Sequence, residues 1–340
     1  MSSNQALIDS TTIRQILVQR YSKGEAKRLF KHLQRLSKEL SDVVGTDYAV
    51  SRSVSIANKI QRISSEILNE YGDDLTDGVK QFAQKEADFA GRAMVAATTA
   101  SEYAAPSVGQ VLASLTDTKM ELLAGKSTAK LTVDEAIKQF STKKAAELGQ
   151  IVRDGAITGR TLDEIAREIT GFIDTRTKHQ AESLVRTVTN HVGAQARAAT
   201  YKENDDVITG EEYVATLDSR TTVSCAGLDG KVFPIGAGPM PPLHWSCRSV
   251  RTPIVNPKYN AAAAVTGKRS SIDGPVSAQT TYGGWLKKQS HAVQNEVLGI
   301  DRASLFRSGK LAIGKFIDDS GKVYTLEELQ RLNPIAFTEA

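Results

Sequence analysis

The sequence predicts an α+β protein, with a mainly helical N-terminal half followed by a small β-containing C-terminal module. Three observations carry that prediction. Apolar residues recur at three- and four-residue spacing through the first 202 positions. Beyond position 207 the period shortens to brief β-branched or aromatic runs. Aromatics make up only 6% of a chain that is 40% hydrophobic and rich in Ala, which suits helices better than sandwiches. At 340 residues there is room for two or three domains. The changes of pattern divide the chain into a helical region (1–165), a core with a long helix and a Cys/His loop (166–256), a flexible arm (257–284) and a helix–hairpin–helix segment (285–340).

Taken in order, Ile13, Ile16 and Leu17 begin an apolar stripe that Leu29, Leu33 and Leu36 continue after Gly24. Ile56, Ile60, Ile63 and Ile67 give a second stripe, with a turn signal at Tyr71-Gly72-Asp73-Asp74. Val79, Phe82, Ala83, Phe89, Ala90 and Ala93 form a third, weakened by Glu86 on the apolar face. Thr132 with Glu135 and Thr161 with Glu164 have capping-box spacing, so each marks a helix start. From about Thr175 to Lys202 one long helix is expected, its buried face running through Ala181, Leu184, Val188, Val192 and Ala199. Short strands follow at Tyr213–Leu217, Lys231–Phe233 and Ser249–Ile254. The low-complexity run Asn260–Val265 sits in the expected arm, and Asp318–Gly321 marks a hairpin between Lys315–Ile317 and Lys322–Tyr324.

No stretch approaches the ~18 apolar residues that span a bilayer, and the N-terminus lacks the pattern of a secretory signal. Net charge is only +4, but it is unevenly spread. Arg248 to Lys315 holds eleven Lys or Arg against Asp273, Glu296 and Asp301, leaving the remainder at about −4. P-loop, G-x-G-x-x-G, H-E-x-x-H and G-x-S-x-G patterns are missing, and no carboxylate pair stands out as acid and base. The sequence therefore reads as a non-enzyme, with an enzyme or toxin module of unknown activity and a plain DNA-binding protein as the alternative readings. His32, His179, His191 and His291 read as ordinary residues of helix surfaces.

The two cysteines, Cys225 and Cys247, end a stretch crowded with Gly and Pro that also holds His244. Four readings stand open for them. Two thiolates and an imidazole, with Asp218 or Asp229 as an oxygen ligand, would make a zinc site. A disulfide, a Cys–His nucleophile pair and a metal-free polar core joining Asp218, Arg220, His244 and Arg248 are the others.

Five blocks in this order resemble the Mu F-like head morphogenesis (minor head protein) family of tailed bacteriophages. They are Arg186-Thr187 with Asn190 on a helix, "LDSRTTVSCAGLDGKVF" from Leu217, "PPLHWSCRS" from Pro241, "TYGGWLKKQ" from Thr281 and "LFRSGKLAIGKFIDDSGKVYTLEEL" from Leu305. The resemblance spans about residues 170–335 and marks Arg186, Thr187, Asn190, Asp218, Arg220, Thr221, Asp229, Gly230, Pro242 and Arg248 as a structural motif. Relatives often read H-x-x-C-R-C, where this chain has Ser249 in the last position, and Pro-Asn where it has Trp245-Ser246.

What the resemblance implies is a protein of the virion head at the portal vertex, present in the host cytoplasm during assembly. The portal protein would be its partner, packaged double-stranded DNA a second, and capsid or scaffold a third. Residues 1–165 lie outside the resemblance, and their amphipathic stripes are expected to serve oligomerisation or portal docking. The basic stretch would supply nucleic-acid contacts through Arg251, Lys258, Lys268, Arg269, Lys287 and Lys288. Apart from zinc no cofactor is expected.

Overall fold

A computed structural model describes residues 3–47, 53–124, 127–261 and 267–337. It bears out the α+β class, with helices concentrated in the first half and small sheets in the second. Two long helices come first, α1 (Ser3–Asp47) and α2 (Ser53–Ala97), then α3 (Val108–Thr116) and a two-stranded sheet of β1 (Met120–Ala124) and β2 (Ser127–Leu131). Helices α4 (Val133–Ile157), α5 (Leu162–Phe172) and α6 (Lys178–Glu203) follow, the last joined to α5 through a π turn at Ile173–Thr177. Next come β3 (Ile208–Val214), the six-residue α7 (Val223–Leu228), β4 (Val232–Phe233) and β5 (Val250–Val255). The chain continues through β6 (Lys268–Ser271), β7 (Gly274–Ser277), α8 (Tyr282–Leu286), α9 (His291–Leu298), α10 (Ile300–Arg307) and α11 (Leu326–Leu332).

These elements form two compact units, and neither is contiguous in sequence. One comprises Met1–Val18, Phe82–Lys130 and Asn190–Ala340; the other Gln19–Gln81 and Leu131–Thr189. A division at residue 165 cuts through both. Helices α1, α2 and α6 each contribute residues to both units.

In the second unit the predicted stripe Leu29, Leu33 and Leu36 is buried, as are Ile56, Ile60 and Ile67. Both capping boxes form as expected, Thr132 with Glu135 and Thr161 with Glu164. The turn signal at Tyr71–Asp74 does not break α2, which runs through it. Gly72 serves close packing instead: a Cβ there would stand 2.7 Å from Ile137 Cγ2 of α4. Gly155 repeats the device, with Ile165 of α5 at 2.6 Å from the same position.

In the first unit the opening stripe is reversed. Ile13, Ile16 and Leu17 are 52%, 42% and 44% exposed, while Thr11, Thr12, Gln15 and Val18 face inward. Gln15 turns in because its amide donates to Asn190 Oδ1 and to the Arg248 carbonyl, both at 3.2 Å. Glu86, awkward on an apolar face, is fully buried between Arg14 and Arg197. His191, expected on a helix surface, is 1% exposed.

The main sheet of this unit is antiparallel in the order β4-β3-β5, with Tyr213 opposite Arg251 and Val214 opposite Val250. Its core gathers Tyr213, Leu217, Cys225, Leu228, Leu243, Cys247, Tyr282, Trp285, Phe306 and Phe316. A smaller cluster joins Ile8 of α1 to Val214, Val250 and Ala278.

The expected arm is built into this unit. Its described part holds a 3-10 turn at Pro257–Tyr259 and the antiparallel pair β6–β7, while residues 262–265 of the low-complexity run lie outside the described residues. The C-terminal hairpin reduces to one isolated bridge, Ile317 with Val323, closed by Asp318 accepting from the Ser320 and Lys322 amides.

Candidate metal centre

Tyr213 on β3 and the short helix α7 bring the first part of the centre together. Thr222 caps α7, its hydroxyl accepting from the Cys225 amide at 3.4 Å, so Cys225 lies in the first turn. Before it, Asp218 folds the loop by accepting from the Arg220 amide and the Thr221 hydroxyl. After it, the "LDG" triplet acts as a fastener. Leu228 is fully buried, and Asp229 accepts from the amides of Ala215 at 2.7 Å and Tyr282 at 2.6 Å. Gly230 turns back with φ of +81°, where a side chain would be strained, and donates to the Tyr213 carbonyl.

The second part follows the buried Pro241–Pro242 pair, whose peptide is cis. The Cys247 amide bonds the His244 carbonyl at 3.1 Å, and this tight turn points both side chains the same way. The ligand atoms of Cys225, His244 and Cys247 lie within 4.8 Å of one another. Cys225 Sγ is 3.3 Å from His244 Nε2 and 3.8 Å from Cys247 Sγ, and both cysteines are free.

These separations fit a metal. Two thiolates at ~2.3 Å from a tetrahedral zinc stand about 3.8 Å apart, and a thiolate and an imidazole nitrogen about 3.6 Å. The tautomer fits as well. His244 Nδ1 faces the Trp245 carbonyl at 3.0 Å, so it carries the proton and leaves the Nε2 lone pair toward the sulfurs. Burial alone would raise the Cys247 thiol, yet hydrogen bonds from Cys225 and from the backbone of Leu243 and Ser249 bring it down to about 6. The hydrogen bond to Cys247, together with burial, pushes Cys225 upward, so the pair holds one thiolate readily. Burial opposes charge on His244, but its contact with Cys225 prevails and raises it.

Asp218 is not the fourth ligand. Its carboxylate is taken by Arg248, with one N–H···O bond at 2.7 Å and a second beside it, and by Arg220 at 3.2 Å. Asp229 is likewise held by Arg269 and two amides. Two hydroxyls contact the sulfurs, that of Tyr213, which the sequence did not single out, and that of Ser249, at the position where relatives often have a Cys. Tyr213 donates to Cys225 Sγ at 3.2 Å, and the Ser249 hydroxyl bonds both Tyr213 and Cys247.

Behind the centre, Asn190 donates to the carbonyls of Cys247 and Ser249. Arg186 and Thr187, grouped with it in sequence, belong to the other unit, where Thr187 bonds the Ser183 carbonyl and Arg186 lines a groove with Lys23, Lys27 and Phe30.

A cavity of about 530 Å³ opens beside His244, lined also by Thr222, Ser224, Arg302, Lys322 and Tyr324. Two carboxylates border it, and both are already engaged, since Asp318 closes its own turn and Glu328 caps α11.

Among the expected nucleic-acid contacts, two are ruled out by burial. Arg251 is 2% exposed, paired with Glu211 at 3.1 Å and stacked on Phe233. Arg269 is 4% exposed and bound to Asp229. Freeing either would leave a buried carboxylate unpaired, at about 3–5 kcal/mol. Lys258, Lys268, Lys287 and Lys288 are exposed.

No curated protein and no solved structure matches the chain. One family model does, over residues 146–252, beginning earlier than the resemblance read from the sequence and ending before its last two blocks. The segment carrying Asn190, Cys225, His244 and Cys247 thus matches the family described as Phage Mu protein F like protein.

Proposed function

We propose that the chain is a minor head protein of a tailed bacteriophage, bound at the portal vertex and acting in head morphogenesis and in genome packaging or delivery. The observation that carries the reading is the family match, which falls on the segment holding the clamp and the metal centre. Portal protein is the first partner, packaged double-stranded DNA the second, with capsid or scaffold also in contact. The host cytoplasm during assembly and then the virion head are its locations.

In this reading the centre is structural. Cys225, His244 and Cys247 hold zinc, the metal that two soft thiolates and an imidazole favour. A hydroxyl or a water completes the coordination. The metal ties the first turn of α7 to the turn before β5 and so closes the intervening loop, which its Gly and Pro residues do not pin by themselves. The neighbouring carboxylates favour a non-enzymatic role, since both are committed to turns and caps.

The test is to quantify the chain in procapsids assembled with and without the portal protein. Incorporation only when the portal is present is expected. Equal incorporation in its absence would refute portal docking.

A further inference from the structure

We propose that a row of exposed cations on α1, formed by Arg20, Lys23, Lys27, Lys31 and Lys38, is a docking surface for duplex DNA. The proposal rests on the reading that packaged DNA is a partner, and it moves the contact away from the C-terminal basic stretch. At 3.6 residues per turn the five positions fall within an arc of about 80° along some 27 Å of helix. All five are exposed, and none is in an ion pair among the described residues.

The helix sorts its charges by face. Between Arg20 and Lys38 the only acid is Glu25, which is 4% exposed and hydrogen-bonded to Tyr21. The basic residues outside the row are engaged: Arg28 with Glu25, His32 with Asp74, and Arg35 with Glu39 and Glu70. What is left is a straight line of one sign. Beside it, Lys23 and Lys27 share a groove of about 160 Å³ with Ser22, Phe30, Glu182 and Arg186, three cations against one acid. Lys178 lies 4.3 Å over the Phe30 ring at the same place.

Composition between Arg20 and Lys38 favours a nucleic acid over a protein. Protein interfaces deplete Lys and anchor on aromatic or apolar residues, and no large hydrophobic residue is exposed between Arg20 and Lys38. Duplex DNA needs no such anchor. It presents a charge every ~1.7 Å of its axis, and each neutralised phosphate releases condensed counterions. A straight cationic row on a rigid helix fits that chemistry, and it carries no sequence preference.

The experiment is an anisotropy titration of the full chain with a labelled duplex of random sequence over a range of salt. The wild type is expected to give a slope of log K against log salt of about −4 to −5. Replacing Lys23, Lys27 and Lys31 by Gln removes three of five contacts without lowering helix propensity much. The slope should fall to about −2 and binding at moderate salt should weaken at least about tenfold, with an unchanged thermal melt. Equal binding by this variant overturns the proposal. So does a loss that appears instead when Lys258, Lys268, Lys287 and Lys288 are neutralised, though DNA then remains a partner. Tighter binding to polyglutamate than to duplex would make the row a protein dock. No binding of duplex by the wild type even at low salt removes DNA as a partner altogether.

Discussion

Asn190 holds the backbone of Cys247: its side-chain amide donates to the Cys247 carbonyl at 3.1 Å and to the Ser249 carbonyl at 3.2 Å. One residue on α6 thereby sets the position of a thiol of the candidate metal centre 57 residues later. Its own carbonyl accepts from Gln15, so the amide cannot flip without losing all three bonds. Replacing Asn190 by Ala leaves two buried carbonyls unpaired, each costing about 1–3 kcal/mol. Chemical denaturation should show a loss of about 2–6 kcal/mol. Asn190→Asp should be worse, because a carboxylate cannot donate. Wild-type stability in either variant would mean that the clamp contributes nothing.

Purified without chelator, the protein should carry close to one zinc per chain by elemental analysis. Chelation should lower its melting temperature, and Cys225→Ser, His244→Ala and Cys247→Ser should each abolish the metal. Ser249→Cys places a third thiol beside Cys247 and should bind zinc at least about tenfold more tightly. Metal-free yet fully stable protein would leave a polar core held by hydrogen bonds alone.

The N-terminal turns of α1 belong to the unit that carries the centre. A fragment beginning at residue 205 should therefore fail to fold cooperatively, because Ile8 covers Val214, Val250 and Ala278. Ile8→Ala in the full chain should cost about 2–4 kcal/mol. A sharp, reversible unfolding transition of the fragment would contradict this packing.

His191 makes stability depend on pH. Burial holds its pKa down to about 4, opposed only by the bond to the Thr118 carbonyl. The unfolded imidazole titrates near 6.5, so between the two values the unfolded chain binds more protons. Stability is complete above about pH 6.5 and falls as pH drops toward 4, by at most about 3 kcal/mol. Denaturation midpoints across that window should decline in the wild type and less steeply in His191→Phe.

How much of this is legible in the sequence follows from the range of the interactions. Capping boxes and the stripes of α1 and α2 depend on residues a few positions apart, and the pattern reads true at Thr132, Thr161 and Leu29 to Leu36. Glu86 is an anomaly in its own helix because its partners, Arg14 and Arg197, come from 72 and 111 residues away. Gly72 reads as a break because its close neighbour, Ile137, is remote in sequence. The same holds for Arg251 and Arg269, whose charge is visible in the composition while Glu211 and Asp229 are not visible as their partners. The cysteines and the histidine stand out by their rarity. Tyr213 carries no such signal, and Ser249 stands out only as the position where relatives often have a Cys.

Neither unit being contiguous has a consequence for synthesis. The first helical turns leave the ribosome long before β3 and β5 exist to receive them, since Ile8 must wait for Val214 and Val250. Closing so long a loop is slow, and until then the apolar face of α1 is exposed to misassembly. A chain that stops short of β5 therefore cannot seat its own beginning. Chains that end before β5 leave Ile8 without Val250 and Ala278, so chaperones and proteases would distinguish them from chains long enough to close this cluster.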